Sequence, residues 1–152
     1  MTIRPLRQAP LGALLLLAAC STPSPVVQVP APSVSLTTGD LVGKWGLASY
    51  RKDADRPRTE AEARRACSNP YVVAPGANGG VMMHLADHTE PSEVFVKTDP
   101  SGRVFIGPSG PPAVAQDRQV ISYENGVLVA DWVDPGVRER YDTMVFVRCG
   151  KA

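Results

Sequence analysis

The folded part of the chain opens on a strand pattern that reads KWGLASY at residues 44–50. Seven further strand-like runs follow, at residues 71–74, 80–86, 93–98, 103–107, 119–123, 127–133 and 140–149. Turn signals separate them, among them Asp99-Pro100-Ser101-Gly102, Glu124-Asn125-Gly126 and Asp134-Pro135-Gly136. Short strands at this spacing predict a mainly β fold, either a small antiparallel eight-stranded barrel or a β-sandwich.

The last of these runs carries large apolar side chains on both faces. Val145 and Val147 fall on one side of the predicted strand, and Met144 and Phe146 fall on the other. Polar residues share each side, so neither side is wholly apolar. We therefore expect both faces of the last strand to contact other parts of the protein.

Gly43-Lys44-Trp45, at the start of the first strand, resembles the G-x-W signature of the calycins. This group contains the lipocalins and related small antiparallel barrels, including some bacterial lipoproteins and periplasmic protease inhibitors. The resemblance implies a barrel in which Trp45 closes one end and an Arg from the last strand packs across it. If the first and last strands pair antiparallel, that residue is Arg148, in a cation–π contact with the indole. An ordinary core tryptophan is the alternative.

One short helix is predicted between the first two strands. Thr59-Glu60-Ala61-Glu62 has the form of a capping box, and sequence rich in Ala and Arg follows it to Ala66. This helix departs from the lipocalin pattern, in which the first strand leads directly into a hairpin.

Residues 1–19 have the three parts of a signal peptide. Arg4 and Arg7 form a basic start, residues 11–17 form an apolar core, and two alanines precede a possible cleavage site. The apolar run is shorter than the roughly 20 residues that a membrane-spanning helix needs.

Leu17-Ala18-Ala19-Cys20 resembles the lipobox of bacterial lipoproteins, which is a leucine, two small residues and a cysteine. The resemblance implies cleavage before Cys20, a diacylglycerol on its sulfur and a fatty acyl chain on its new amino group. Three chains anchor a protein firmly, whereas a single myristoyl chain binds only marginally. Ser21 stands where an Asp retains many such proteins at the inner membrane. We therefore expect a lipoprotein of the outer membrane that faces the periplasm.

Residues 20–36 are expected to form a tether between the lipidated cysteine and the folded domain. The segment contains four prolines and no charged residue, which is typical of an extended polyproline-type chain. At about 3.1 Å per residue, residues 21–35 reach roughly 45 Å. The β-barrel domain is predicted at residues 37–150.

Cys67 and Cys149 remain once Cys20 is assigned to the anchor. Outside the cytoplasm we expect them to form a disulfide. Two free buried thiols are the alternative, and a metal site is disfavoured because the cysteines do not form a CxxC pair. In a plain meander, Cys67 would follow the top of the first strand while Cys149 lies at the bottom. Either residues 51–66 cross back to the bottom, or the topology is not a simple meander.

The charge balance argues against a nucleic-acid partner. The chain has 16 Lys and Arg against 15 Asp and Glu, and removal of Arg4 and Arg7 leaves 14 basic residues. Basic residues between Arg51 and Arg65 alternate with acidic ones and lack the interleaved aromatics that stack on bases. This mixture is typical of a solvated face, and a partner site for an acidic surface is the alternative.

Candidates for catalysis or cofactor binding are few. Both histidines lie in HLADH, residues 84–88, and His84 and His88 are weak candidates for a metal site. On a strand they would lie roughly 13 Å apart. The HEXXH zinc motif, the G-x-S-x-G nucleophile elbow and a phosphate-binding loop are all absent from the sequence. We therefore expect no enzyme activity, no catalytic residue and no cofactor.

The function we expect is that of a cell-envelope lipoprotein acting as a non-enzymatic binding module. Its partner would be a protein, an envelope polymer or a small apolar ligand, and protease-inhibitor-like calycin lipoproteins are the nearest analogy. A structural or assembly factor of the outer membrane envelope is the alternative. A barrel this small is largely filled by its own side chains, which favours surface-mediated binding. A cavity in the structure would instead favour a ligand carrier.

Replacing Cys20 by Ser is expected to abolish lipidation, because the thioether to diacylglycerol needs the cysteine sulfur. The variant should remain a soluble or unprocessed precursor that takes up no labelled palmitate in growing cells. Wild-type chain labelled in parallel is the control. Undiminished label in the variant would show that the lipobox interpretation is wrong.

Overall fold

The computed structural model of the protein describes residues 34–150, in which eight antiparallel strands form a closed barrel. The prediction of a small eight-stranded barrel is confirmed, and the architecture is not a sandwich. Each strand pairs with its neighbours in chain order, and the first strand also pairs with the last. The strands are β1 (Gly43–Tyr50), β2 (Tyr71–Pro75), β3 (Val81–His84), β4 (Pro91–Thr98), β5 (Val104–Gly107), β6 (Arg118–Glu124), β7 (Val127–Trp132) and β8 (Thr143–Arg148).

Three short helices accompany the barrel. They are α1 (Thr38–Leu41), α2 (Arg56–Ala66) and α3 (Pro135–Tyr141), with a single 3₁₀ turn at Asp53–Asp55 before α2. Within residues 34–150, every helix is too short or too polar to cross a membrane.

The first and last strands close the barrel through a continuous antiparallel register that runs from Trp45 opposite Arg148 to Tyr50 opposite Thr143. We call the end where β1 begins the lower end and the end where it finishes the upper end. At the lower end, Trp45 is buried and its Nε1 donates to Leu41 O at 2.8 Å. The Arg148 guanidinium lies 4.3 Å from the Trp45 ring centroid, as the calycin resemblance implies.

Arg148 also ties α1 to the barrel. Its Nη1 donates to Val42 O at 3.0 Å, and its Nη2 donates to Asp40 O. The guanidinium therefore holds the carbonyl end of α1 over the indole of Trp45. Leu36 is buried in the same core cluster and Val34 packs against it, so the packed region includes residues from the segment assigned to the tether.

Helix α2 returns the chain from the upper to the lower end along the outside of β1 and β8. After α2, the chain lies opposite Trp45, where β2 starts. This crossing brings Cys67 to the lower end, so the strands can follow a simple meander and the disulfide can still form. Cys67, directly after α2, is bonded to Cys149, directly after β8, with their Cα atoms 5.5 Å apart. In the chain-entropy model, a bridge spanning 82 residues stabilises the fold by about 4–5 kcal/mol.

The two faces of β8 have different partners, and both are buried. Phe146 and, at its margin, Met144 belong to the core inside the barrel. Val145 and Val147 face outward and pack with Tyr50 and Ala63 beneath α2. The expectation that both faces of the last strand are in contact is therefore confirmed.

The capping box predicted at Thr59 is wrong, because α2 begins one turn earlier. Pro57 stands in its first turn, where no backbone N–H is needed for a helical hydrogen bond. Thr59 is thus inside the helix, buried, and its hydroxyl donates to Asp55 O at 3.0 Å.

The turn predicted at Asp134-Pro135-Gly136 is the start of α3. Asp134 is the N-cap, since its Oδ1 accepts from the N–H of Val137 at 3.0 Å, and Pro135 opens the helix. The last strand consequently begins at Thr143 and not at Arg140.

Gly46 is the position where α2 comes closest to the barrel. A Cβ at residue 46 would lie 1.7 Å from Ala63 O, so only glycine fits beneath this turn of α2. Replacing Gly46 by Ala is expected to lower the free energy of unfolding by about 1–3 kcal/mol, because the helix backbone must move away from β1. Urea denaturation of the disulfide-intact chain measures this change.

Gly39→Ala is the matched control for this substitution. Gly39 lies in α1, and its nearest contact for a Cβ is the Thr37 hydroxyl oxygen at 3.7 Å. Ala at residue 39 should be neutral or slightly stabilising, because a helix favours Ala over Gly. Equal effects at the two positions would contradict the close approach of α2.

Candidate functional site

The barrel wall is forked at the upper end between β1 and β3. Strand β2 pairs with β1 only over Gly43–Trp45, and with β3 only through Ala74 and Pro75. Above these pairs, no strand within residues 34–150 joins the upper half of β1 to the end of β3. This fork exists because α2 delivers the chain to β2 opposite Trp45, the third residue of β1.

A cavity of about 140 Å³ lies inside the barrel behind this fork, and we call it the mouth cavity. Four of its lining residues are apolar and three carry polar groups. They are Leu47, Met83, Met144 and Phe146, with Tyr71, His84 and Arg118. It therefore combines a hydrophobic wall with a few polar groups, which is the usual composition of a small-molecule site.

Arg118 is the unusual member of the mouth cavity. It is only 4% exposed, and it stands at an inward-facing position at the start of β6, directly opposite Trp132 of β7. Its guanidinium stacks on the Trp132 ring at 4.0 Å and its Nη2 donates to His84 O. Its Nε and Nη1 find no hydrogen-bond partner among residues 34–150.

No carboxylate among the described residues pairs with Arg118, although Asp117 precedes it. Asp117 is fully buried and bound to the Lys97 ammonium at 2.7 Å. Lys97 also donates to Pro108 O and Pro111 O, both at 3.0 Å, and so fixes the loop that leads from β5 to β6. Burial lowers the pKa of Arg118 to about 10, which leaves the guanidinium charged at neutral pH.

Tyr71 stands at the base of the fork and contacts His84. The Tyr71 hydroxyl accepts from the backbone N–H of His84 at 2.9 Å and lies 3.3 Å from His84 Nδ1. Burial raises the pKa of Tyr71 above its ordinary value, so its proton is retained at neutral pH. The phenol therefore offers an O–H donor at the margin of the cavity.

The two histidines occupy different environments. His84 ends β3 and lines the mouth cavity, whereas His88 lies exposed in the turn that follows. In residues 34–150, no cluster of three or more His, Cys, Asp or Glu side chains is arranged to hold a metal ion. His84 enters the site through its ring and its carbonyl, a role that the sequence pattern did not indicate.

A wider groove of about 240 Å³ runs beside α3, but its two arginines already have partners. Arg51 pairs with Asp142 at 2.9 Å and also donates to Glu139 O. Arg138 pairs with Asp131 at 3.1 Å and donates to Trp132 O. These pairs fasten α3 to the barrel, and the groove leaves no buried donor without a partner.

The basic segment that begins at Arg51 is a surface with mixed charge. Arg56 and Arg64 both pair with Glu60 within α2, at 3.0 and 3.7 Å, and Arg58 pairs with Asp55. Such exposed pairs are typical of a solvated helix face. Cys20, the predicted anchor, lies outside the described residues.

Sequence reasoning missed Arg118 because the sixth strand was predicted to begin at Gln119. Extending that strand by one residue places Arg118 in phase with Val120, on the face that packs inside the barrel. A charged residue that alternates with the inward-facing apolar residues of a strand indicates a buried charge, and this pattern is present in the sequence. Tyr71 gave no comparable signal.

Comparison with known proteins adds no relative to this picture: neither family models, nor curated proteins, nor solved structures produce a match to the chain.

Replacing Arg118 by Met is expected to change the free energy of unfolding by less than about 1 kcal/mol. Removal of a desolvated charge recovers several kcal/mol, which offsets the lost hydrogen bond to His84 O and the lost stacking on Trp132. Met83→Ala, at a neighbouring buried position, should instead lose about 2–5 kcal/mol. Urea denaturation of both variants makes the comparison. A loss above about 3 kcal/mol for Arg118→Met would assign Arg118 a structural role.

Proposed function

We propose that the protein is a non-enzymatic binding lipoprotein of the cell envelope whose barrel takes a small ligand in the mouth cavity. Cys20 would anchor it to the outer membrane, and the proline-rich segment would hold the barrel in the periplasm. The lipobox-like sequence supports the anchor, and the Cys67–Cys149 bridge agrees with a compartment outside the cytoplasm.

The observation that carries the binding proposal is the mouth cavity itself. A barrel of this size is expected to be filled by its own side chains, and the lower half of this one is. The upper half instead keeps a space of about 140 Å³, which is lined from both sides of the fork by Leu47 and Met83. An apolar cavity of roughly 150 Å³ is large enough to take a molecule the size of benzene.

The cavity favours binding of a small ligand inside the barrel over binding of a partner at its surface. Its polar residues are few, and Arg118 among them is buried, so they can orient a ligand without filling the space. A partner protein could reach the same site only by inserting a side chain or a chain end. An assembly factor with no ligand would gain nothing from an unpaired guanidinium at this position.

Methionine methyl groups provide a direct test. Met83 and Met144 line the mouth cavity, whereas Met82 alternates to the outer face of β3. In the full chain labelled with ¹³C at the methionine methyls, small molecules extracted from the producing envelopes are expected to shift the NMR signals of Met83 and Met144. The Met82 signal should stay in place and serves as the internal control.

Leu47→Trp is a second control, because the larger side chain should occupy the cavity and suppress the shifts. If neither the envelope extract nor a library of small acids, amines and neutral molecules moves the two signals, the barrel does not bind small ligands. The assembly-factor alternative would then be favoured.

A further inference from the structure

Two arginine–tryptophan pairs occupy opposite ends of the barrel, and each is a directly opposed cross-strand pair. At the lower end, Arg148 stacks on Trp45 and donates to the carbonyls of Asp40 and Val42. At the upper end, Arg118 stacks on Trp132 but makes only one hydrogen bond within residues 34–150. Arg148 is thus a satisfied structural residue, and Arg118 is not.

A buried cation without a counter-ion costs several kcal/mol of stability. The charge of the neighbouring Asp117 relieves only part of this cost, because the carboxylate is paired with the Lys97 ammonium at 2.7 Å. Arg118 instead lines the mouth cavity, and its Nε and Nη1 are buried without a hydrogen-bond partner among the described residues. An anion that entered the cavity would supply the missing acceptor.

The shape of the donors favours a carboxylate. A planar guanidinium matches the two oxygens of a carboxylate, and such charge-assisted hydrogen bonds are about twice as strong as neutral ones. The Tyr71 hydroxyl can donate a further hydrogen bond from the fork. Fully hydrated inorganic anions fit less well, because the rest of the wall is apolar: Leu47, Met83, Met144 and Phe146.

We infer that the mouth cavity binds an organic carboxylate, with Arg118 as the anion-binding residue and a short apolar group beside Met83 and Met144. This inference rests on the proposed binding function and names the ligand class of the same site. The volume of about 140 Å³ limits the enclosed apolar group to about the size of a benzene ring.

Such a carboxylate can belong to a free small acid or to the last residue of a peptide. The second source is compatible with the edge of β1. Lys44 O accepts from Cys149 N at 2.8 Å, so by antiparallel alternation the backbone groups of Leu47 and Ser49 point away from β8, toward the fork. Among the described residues they meet no strand there. A second, more open depression is lined by Ala48, Ser49 and Tyr141, and it shares Leu47 and Met144 with the cavity.

The test compares benzoate with benzamide, a neutral molecule of nearly the same shape, on the full chain labelled at the methionine methyls. Benzoate is expected to shift Met83 and Met144 and to bind about 10- to 100-fold more tightly than benzamide, the factor that a charged hydrogen bond provides. Arg118→Met should abolish this preference, so that benzoate binds no more tightly than benzamide. Arg65→Met, the same change on the exposed face of α2, should have no effect.

Equal affinities for benzoate and benzamide would overturn the carboxylate assignment while leaving the small-ligand function in place. The same conclusion follows if the envelope extract shifts Met83 and Met144 and no carboxylate does. A carboxylate preference that persists in Arg118→Met would also overturn it, because the anion would then bind elsewhere.

The peptide source is tested with acetyl-Gly-Ser-Val and its C-terminal amide. If the free peptide binds more tightly than benzoate, and the amide does not, the carboxylate is a chain end. The amide ¹⁵N signals of Leu47 and Ser49 should then shift as well, through pairing with the edge of β1. If benzoate binds and the peptide does not, the ligand is a free small acid.

Discussion

The contact between Trp45 and Arg148 is the constraint on which the barrel depends. It lies where the first and last strands meet, so it fixes their register and closes the sheet on itself. Because Arg148 also binds the carbonyls of Asp40 and Val42, the same residue seals the lower end with α1. The disulfide from Cys149, one residue further along the chain, fastens α2 to this end and makes the seam the most strongly cross-linked part of the molecule.

The open upper end follows from the closed lower end. Since α2 must bring Cys67 to Cys149, it carries the chain back along β1 and lets β2 begin only opposite Trp45. In the described part of the chain, the upper half of β1 is left without a neighbouring strand on that side, and the wall forks. A direct hairpin from β1 to β2 would have closed this gap and filled the barrel along its whole length. Gly46 allows α2 to lie close enough to β1 for this route.

The sequence predicts the barrel better than the site. Alternating apolar runs and turn residues locate all eight strands, because each strand buries one face in the same core. A local motif is ambiguous when it fits two structures. Asp134-Pro135-Gly136 fits a turn, but Asp followed by Pro also fits the start of a helix. Packing of Val137 against Trp132 selects the helix. The mouth cavity was beyond prediction, because it depends on where α2 ends relative to β1, a tertiary fact that no local pattern contains.

The hydrogen-bond partners of a buried charged residue indicate whether that residue has a structural role, and Arg118 is the example here. Lys97, Asp117 and Arg148 are buried or half-buried too, and each is satisfied by groups that hold a loop or a helix in place. Arg118 is buried too, but within residues 34–150 it makes one hydrogen bond, to His84 O, and stacks on the Trp132 ring. His84 and Trp132 are already held by their own strands, so Arg118 fixes no further segment. The cost of burying its charge is therefore only about offset by these two contacts. Residues of this kind are expected where a fold gives up stability for binding, because the donors must be left free for a ligand to use them.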